Sequence, residues 1–260
     1  MADIFEEIVR VRRERVGAAL ATVVGGEKGV PGKTGFRMLV YADGGTLGTV
    51  GGGKLEATVR DEALRSLREK KPSLLEYTLD ERSADTLGAV CGGKIMVFVE
   101  PIQAGPTLYV FGGGHIALSL AQFARALEFG MVVVDDREEF ANQTRFPGAE
   151  VKCGDFATVT RSLTFSEDDS VVIVTRGHEH DEEVLRECLS KPVHPGYVGM
   201  IGSKQKIAIT FNNLKEQGIH EELLGKVKAP IGLDIGGRTP AEIALSIMAQ
   251  IVAIRSGKAS

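Results

Sequence analysis

Leu108-Tyr109-Val110-Phe111 is an apolar run that leads straight into Gly112-Gly113-Gly114-His115-Ile116-Ala117. Gly112, Gly114 and Ala117 fill the small positions of a G-x-G-x-x-G/A pattern. A second apolar run ends in Asp135-Asp136-Arg137 about twenty residues further on, the spacing of a dinucleotide fingerprint. The chemistry is anion binding. The first glycine permits a tight turn, the second lets a pyrophosphate approach the backbone, and the third small residue lets helix and strand pack closely. Free N–H groups at the helix start, from His115 on, point at the phosphates. Asp135 is the expected acceptor for a ribose 2′-hydroxyl. Arg137 leaves NAD and NADP both open, because an arginine there could face a 2′-phosphate.

Other segments repeat the theme. Gly48-Thr49-Val50-Gly51-Gly52-Gly53-Lys54 runs from a strand pattern into a helix start. Backbone amides at Gly52 and Gly53 would form an anion nest to which Lys54 adds charge, with a plain flexible turn as the alternative. Gly199-Met200-Ile201-Gly202-Ser203-Lys204 opens another helix after an apolar run, where Gly202 could seat a phosphate or carboxylate. Gly232 to Pro240 is a further glycine turn, equally compatible with simple capping. Thr175-Arg176-Gly177-His178-Glu179-His180-Asp181 follows the run Val171–Val174, so it should face the same crevice as Gly112. Arg176 is placed to meet an anion there, and His178 to move a proton, since imidazole titrates near neutral pH. Three ligands so close in sequence, without a distant fourth, make a poor metal site. Cys91-Gly92-Gly93 could present a thiol on a tight turn, or simply bury a small residue.

The elements that must position these groups fall into two rhythms. Residues 1–104 read as a compact α+β domain. Leu55, Val59, Ala63 and Leu67 mark an amphipathic helix among short strands, and Asp43-Gly44 marks a hairpin turn. Glu100 to Pro106, with two prolines and little pattern, marks the boundary. Residues 105–260 alternate strands and helices, the mark of a Rossmann-like parallel sheet. Thr239-Pro240 followed by Glu242 opens the last helix with an N-cap and a proline in the first turn. The fold class is α/β, a Rossmann-like domain preceded by a smaller α+β domain.

Composition narrows the function further. The net charge is −4 with no dominant basic cluster, so no nucleic-acid partner is expected. No run approaches a membrane span, and the first residues have no apolar signal core, so the chain is read as cytoplasmic. The cysteines, Cys91, Cys153 and Cys188, are odd in number and widely spaced, which argues against a disulfide scaffold. The 32 glycines exceed the usual share of about 7%, a surplus that the turns above largely absorb.

In this order the pieces resemble the XdhC/CoxI family, the accessory proteins of xanthine dehydrogenase and carbon monoxide dehydrogenase. The matching stretches are Gly51-Gly52-Gly53-Lys54-Leu55-Glu56, Cys91-Gly92-Gly93, Val110 to His115, Val134 to Arg137, Arg176-Gly177-His178, Tyr197 to Ser203, and Gly232 to Asp234 running on to Ala244. The resemblance implies a role in maturing a molybdenum hydroxylase: binding molybdenum cofactor, supporting its sulfuration and delivering it to the apoenzyme. It also implies a cysteine desulfurase as a further partner, and a homodimer. On this reading Cys91 is the thiol for molybdenum or sulfur, Lys54 and Arg176 face the pyranopterin phosphate, and the glycine turns of the first domain add anion contacts to a shared cleft. Many family members carry a cysteine where this chain has Gly53-Lys54. Two other functions stay open from the residues alone. One is an NAD(P)-dependent oxidoreductase with His178 or His115 as its acid–base group. The other is a regulator that senses nucleotide.

Overall fold

The computed structural model describes residues 3–14, 16–27, 32–79, 93–102 and 105–258. The chain divides into two compact units, Met1–Ala104 and Gly105–Ser260.

In the first unit, helix α1 (Ile4–Arg13) precedes strands β1 (Ala18–Gly26), β2 (Arg37–Tyr41) and β3 (Thr46–Gly48). Helix α2 (Gly53–Glu69) and strands β4 (Ser73–Leu79) and β5 (Gly93–Ile102) complete it. The sheet is antiparallel in the order β3-β2-β1-β5-β4. Alternation along the strands divides the side chains between two covers. Ala19, Ala21, Val23, Ile95 and Val97 bury against Leu55, Val59 and Ala63 of α2. Ala18, Leu20 and Leu39 bury against Val11 of α1. Where the sequence pattern ends at Val99, β5 in fact continues through Glu100 and Pro101 to Ile102, paired with β1. Its other neighbour, β4, ends opposite Val99. A proline is tolerated there because that stretch is paired on one side alone.

The second unit carries β6 (Thr107–Phe111), α3 (His115–Ala126), β7 (Gly130–Asp135) and β8 (Glu150–Cys153). Then come α4 (Phe156–Ser162), β9 (Ser170–Ile173), α5 (His178–Leu189) and β10 (Tyr197–Met200). Helices α6 (Lys204–Glu216), α7 (Glu221–Leu224) and α8 (Pro240–Arg255) close it. Its five strands are parallel in the order β10-β9-β6-β7-β8. Both faces are covered, so the strands are apolar throughout. Tyr109, Phe111, Val171 and Ile173 face α5 and α6, whereas Leu108, Val110 and Val172 face α3 and α8. Helix α8 opens with a capping box: the Thr239 hydroxyl accepts from the Glu242 N–H and the Glu242 carboxylate accepts from the Thr239 N–H. The strand order reverses direction between β6 and β9, and ligands of such sheets bind outside the carboxyl ends of the strands at that point. No described helix is long and apolar enough to cross a membrane.

Candidate functional site

The loop after β6 is wedged between its neighbours. Gly112 has φ +107°, and a Cβ there would lie 2.4 Å from the Val174 carbonyl oxygen. A Cβ on Gly113 would lie 2.3 Å from the Phe140 carbonyl oxygen. Both glycines are therefore demanded by the packing of the chain itself. Gly114, the N-cap of α3, has open space around its missing Cβ, and His115 beside it is exposed. Ala117 is buried where α3 meets the sheet.

Asp135, the expected ribose acceptor, is engaged on all sides by the protein itself. It is 1% exposed. One carboxylate oxygen accepts from the Gly113 N–H (2.8 Å) and from a terminal guanidinium N–H of Arg137 (3.1 Å). The other accepts from the Arg137 backbone N–H (3.1 Å) and its Nε (2.9 Å). A carboxylate offers about four lone-pair sites, and here all are taken by protein. Arg137 is held by the same contacts and lies 3.7 Å over the Phe140 ring. Arg145 donates to the Gly113 carbonyl at 3.0 Å. Asp135 thus fixes the glycine loop, and Arg137 neutralises Asp135.

Asp136 reaches across to Arg176, which grips its carboxylate with two hydrogen bonds, one of 2.7 Å. That pairing holds the Asp136 carboxyl below the usual carboxylate range and raises the guanidinium. Arg176 is itself 42% exposed, so solvent screens the pair and it adds little to stability. An incoming anion could take it over.

Beside this pair, at the ends of β9 and β10, lies a cavity of about 250 Å³. Its rim carries two cations: Arg176, with His178 beside it, comes from the β9 side, and Lys206, with Gly202 and Ser203, from the start of α6. Ser203 caps that helix, its hydroxyl accepting from the Lys206 N–H. The other free amides of the first turn favour negative charge. The floor is polar. Asp181 is 8% exposed, and its Oδ1 accepts from the Thr175 N–H (3.2 Å) and meets the Thr175 hydroxyl (2.7 Å). Among the described residues nothing donates to its Oδ2. Burial pushes its carboxyl up to about 6, against the pull of the Thr175 contacts. Thr210, 3% exposed, also lines the cavity, and its hydroxyl has no hydrogen-bond partner among the described residues.

The glycine turn of the first unit is a nest, and the chain fills it. Gly51, Gly52 and Gly53 all have positive φ. The Glu56 carboxylate accepts from the Gly52 N–H at 3.0 Å and from the Thr49 hydroxyl, while the Gly51 N–H donates to Thr49 Oγ1 at 3.1 Å. The anion at this helix start is therefore Glu56, and Lys54 is exposed. A Glu56→Ala chain should lose about 1 kcal/mol of stability, the usual worth of a helix-terminal cap, seen as a lower urea midpoint. An unchanged midpoint would mean that the nest needs no internal anion.

The structure thus brings together Arg176, His178 and Gly202 at one cavity, and places Gly112, Gly114, Asp135 and Asp136 on adjoining strand ends. Gly52, Gly53 and Lys54 belong to the first unit. Cys91 lies outside the described residues. Cys153 is exposed at the end of β8, and Cys188 is buried in α5 with its thiol pushed far up by desolvation. Among the described residues no group of His, Cys, Asp and Glu assembles as a metal-ligand set. In the sequence, Asp181 figures only in a rejected metal cluster and Thr210 not at all. The signal for Thr210 is its place in α6: Ile207, Thr210 and Leu214 form the buried face, and the middle one is polar.

Comparison with known proteins places these features in a family. A family described as the XdhC Rossmann domain matches residues 108–251, and one described as the XdhC and CoxI family matches residues 11–78. The chain is 32% identical to an uncharacterized protein, YqeB, of Escherichia coli (strain K12), over 98% of this chain and 46% of that protein. It is 29% identical to a probable xanthine dehydrogenase subunit of Bacillus subtilis (strain 168), over 61% of this chain and 46% of that protein. It therefore spans about half the length of both, at 46%. It is 22% identical to the molybdenum cofactor insertion chaperone PaoD of Escherichia coli (strain K12), over 92% of this chain and 84% of that protein. A solved structure from Bacillus halodurans, described as a xanthine dehydrogenase, shares the fold with TM-score 0.53 and 23% identity, covering 99% of this chain and 97% of the other.

Proposed function

We propose, from the premise that this chain belongs to the XdhC and CoxI family, that it is an accessory protein of a molybdenum hydroxylase. It binds molybdenum cofactor of the molybdopterin type as cargo, supports its sulfuration and hands it to the apoenzyme. A cysteine desulfurase is the partner for the sulfur step, and the working form is a homodimer. The likeness to a molybdenum cofactor insertion chaperone supports this reading, as does that to a probable xanthine dehydrogenase component.

The observation that carries it is the cavity at the ends of β9 and β10. Its rim, with the cations Arg176 and Lys206, the His178 imidazole and the start of α6, suits the phosphate end of a pyranopterin. Cys91, which lies outside the described residues, is the cysteine proposed as the soft ligand for molybdenum or sulfur. Cys188 is buried and Cys153 sits at the far edge strand, β8. A dinucleotide would have to displace Arg137 from Asp135 to gain a ribose contact, which favours the cargo reading over the dinucleotide one.

The test is retention of cofactor. Purified chain is mixed with molybdenum cofactor released from a donor enzyme, then passed through a desalting column, and protein-bound molybdenum is measured. We expect near-stoichiometric retention by the natural chain. An Arg176→Ala, Lys206→Ala double variant should bind about tenfold more weakly or worse, having lost two charge-assisted contacts. Passage of all molybdenum through the column by the natural chain would overturn the reading.

A further inference from the structure

The cavity has two chemically distinct ends, and the inner one is not explained by an anion. A phosphate needs donors, which the rim supplies. Asp181 and Thr210 are largely buried residues that line this cavity, and the Asp181 Oδ2 and the Thr210 hydroxyl are left to it, without protein hydrogen-bond partners among the described residues. Ligands of such sheets bind outside the carboxyl ends of the strands, in cavities with a few convergent polar groups, so a pair left open to a cavity there points to a ligand that completes them. An open carboxylate oxygen accepts hydrogen bonds only, so the matching group carries N–H donors. Thr175 settles which oxygen is open, since its backbone N–H holds Oδ1 at 3.2 Å. The site therefore asks for a molecule with an N–H-bearing polar head and an anionic tail.

We infer that Asp181 and Thr210 are specificity-determining residues that recognise the amino and ring N–H edge of the pterin head of the cargo, with its phosphate at the Arg176–Lys206 rim. This rests on the cofactor-binding reading above and adds to it an orientation and a discriminating residue. A site built around such an acceptor rejects a ring lacking the donor, because a buried lone pair is then left facing an oxygen.

Ring specificity tests this directly. The probes are 6-hydroxymethylpterin and the corresponding lumazine, in which an oxygen replaces the 2-amino group, titrated by their own fluorescence. The natural chain should bind the pterin at least tenfold more tightly. In Asp181→Asn the Thr175 N–H keeps an oxygen at Oδ1, so the amide nitrogen faces the cavity as a donor. That variant should lose at least tenfold for the pterin and gain for the lumazine, reversing the preference. Thr210→Val should weaken pterin binding about threefold or more, with no reversal. A reversal is a readout that a loosened fold would not give. Equal binding of the two rings by the natural chain, no binding of either, or an unchanged preference in Asp181→Asn would each overturn the inference. Molybdenum retention measured on the same preparations separates the two levels. Retention without ring preference leaves the accessory function standing and removes the role of Asp181, whereas loss of retention by the natural chain removes the function itself.

Discussion

An Asp135→Ala chain should be less stable than the natural chain by about 1–3 kcal/mol, the usual cost of leaving a buried hydrogen-bonding group unsatisfied, since Arg137 is partly exposed and can turn to solvent. The loss has a definite composition. The Gly113 N–H loses its acceptor at 2.8 Å, and Arg137 loses both its Nε and its terminal contact. Urea denaturation of the second unit reads the result as a fall in midpoint at constant slope. Asp135→Asn should fall between the two, since its amide keeps one acceptor oxygen and turns a donor toward the Gly113 N–H or Arg137. If Asp135 were instead a ribose ligand held ready in water, its removal would leave the midpoint where it was. The prediction therefore separates a loop-fixing carboxylate from a nucleotide-reading one without any nucleotide being present.

That residue also shows how far the sequence could be read. The fingerprint around Gly112 places a strand, a turn and a helix, and that is the structure found: β6, the loop and α3. It follows from periodicity and from glycine's tolerance of positive φ, both of which are local. What fills the loop is not local. Phe140 and Arg145 come back over Gly113 from the segment after β7, and no spacing rule encodes that return. The nest at Gly51 to Gly53 is similar: its backbone is legible from three successive glycines, but its anion turns out to be Glu56, one turn into the same helix. Periodicity misses the short helix α4, although Asp155 caps it through the Thr158 N–H at 2.9 Å. Its seven residues give too few turns for a periodic signal. The cavity floor was illegible for another reason. Asp181 and Thr210 come from different helices, α5 and α6, and each is polar where its helix faces inward. Only the packing of the two helices beside β9 and β10 makes them neighbours of one space.

Asp181→Asn should make the chain more stable at neutral and alkaline pH. Desolvation raises the folded carboxyl from 3.8 to about 6. Below the unfolded value the group is protonated in both states, and its burial costs little. As pH rises from about 4 to about 6 the unfolded chain releases the proton while the folded chain keeps it, so the natural chain loses stability across that window. Above about 6 both states are ionised and the loss stops growing. A shift of this size corresponds to about 3 kcal/mol. The amide variant carries no titrating group there and escapes the loss, so at pH 8 its Tm should exceed that of the natural chain by on the order of 6–12 °C. The gap should close at about pH 3.5, below the unfolded value. Scanning calorimetry of both chains across that range checks it, and parallel curves would mean that Asp181 titrates like a surface carboxylate. His178 and His180 on the same helix pull the Asp181 carboxyl down, a smaller effect than the desolvation that raises it. A carboxylate that weakens the free protein at working pH persists in a buried floor where a ligand restores what it loses. Donor N–H groups on bound cargo would do that, so the same substitution should raise stability and abolish pterin preference together.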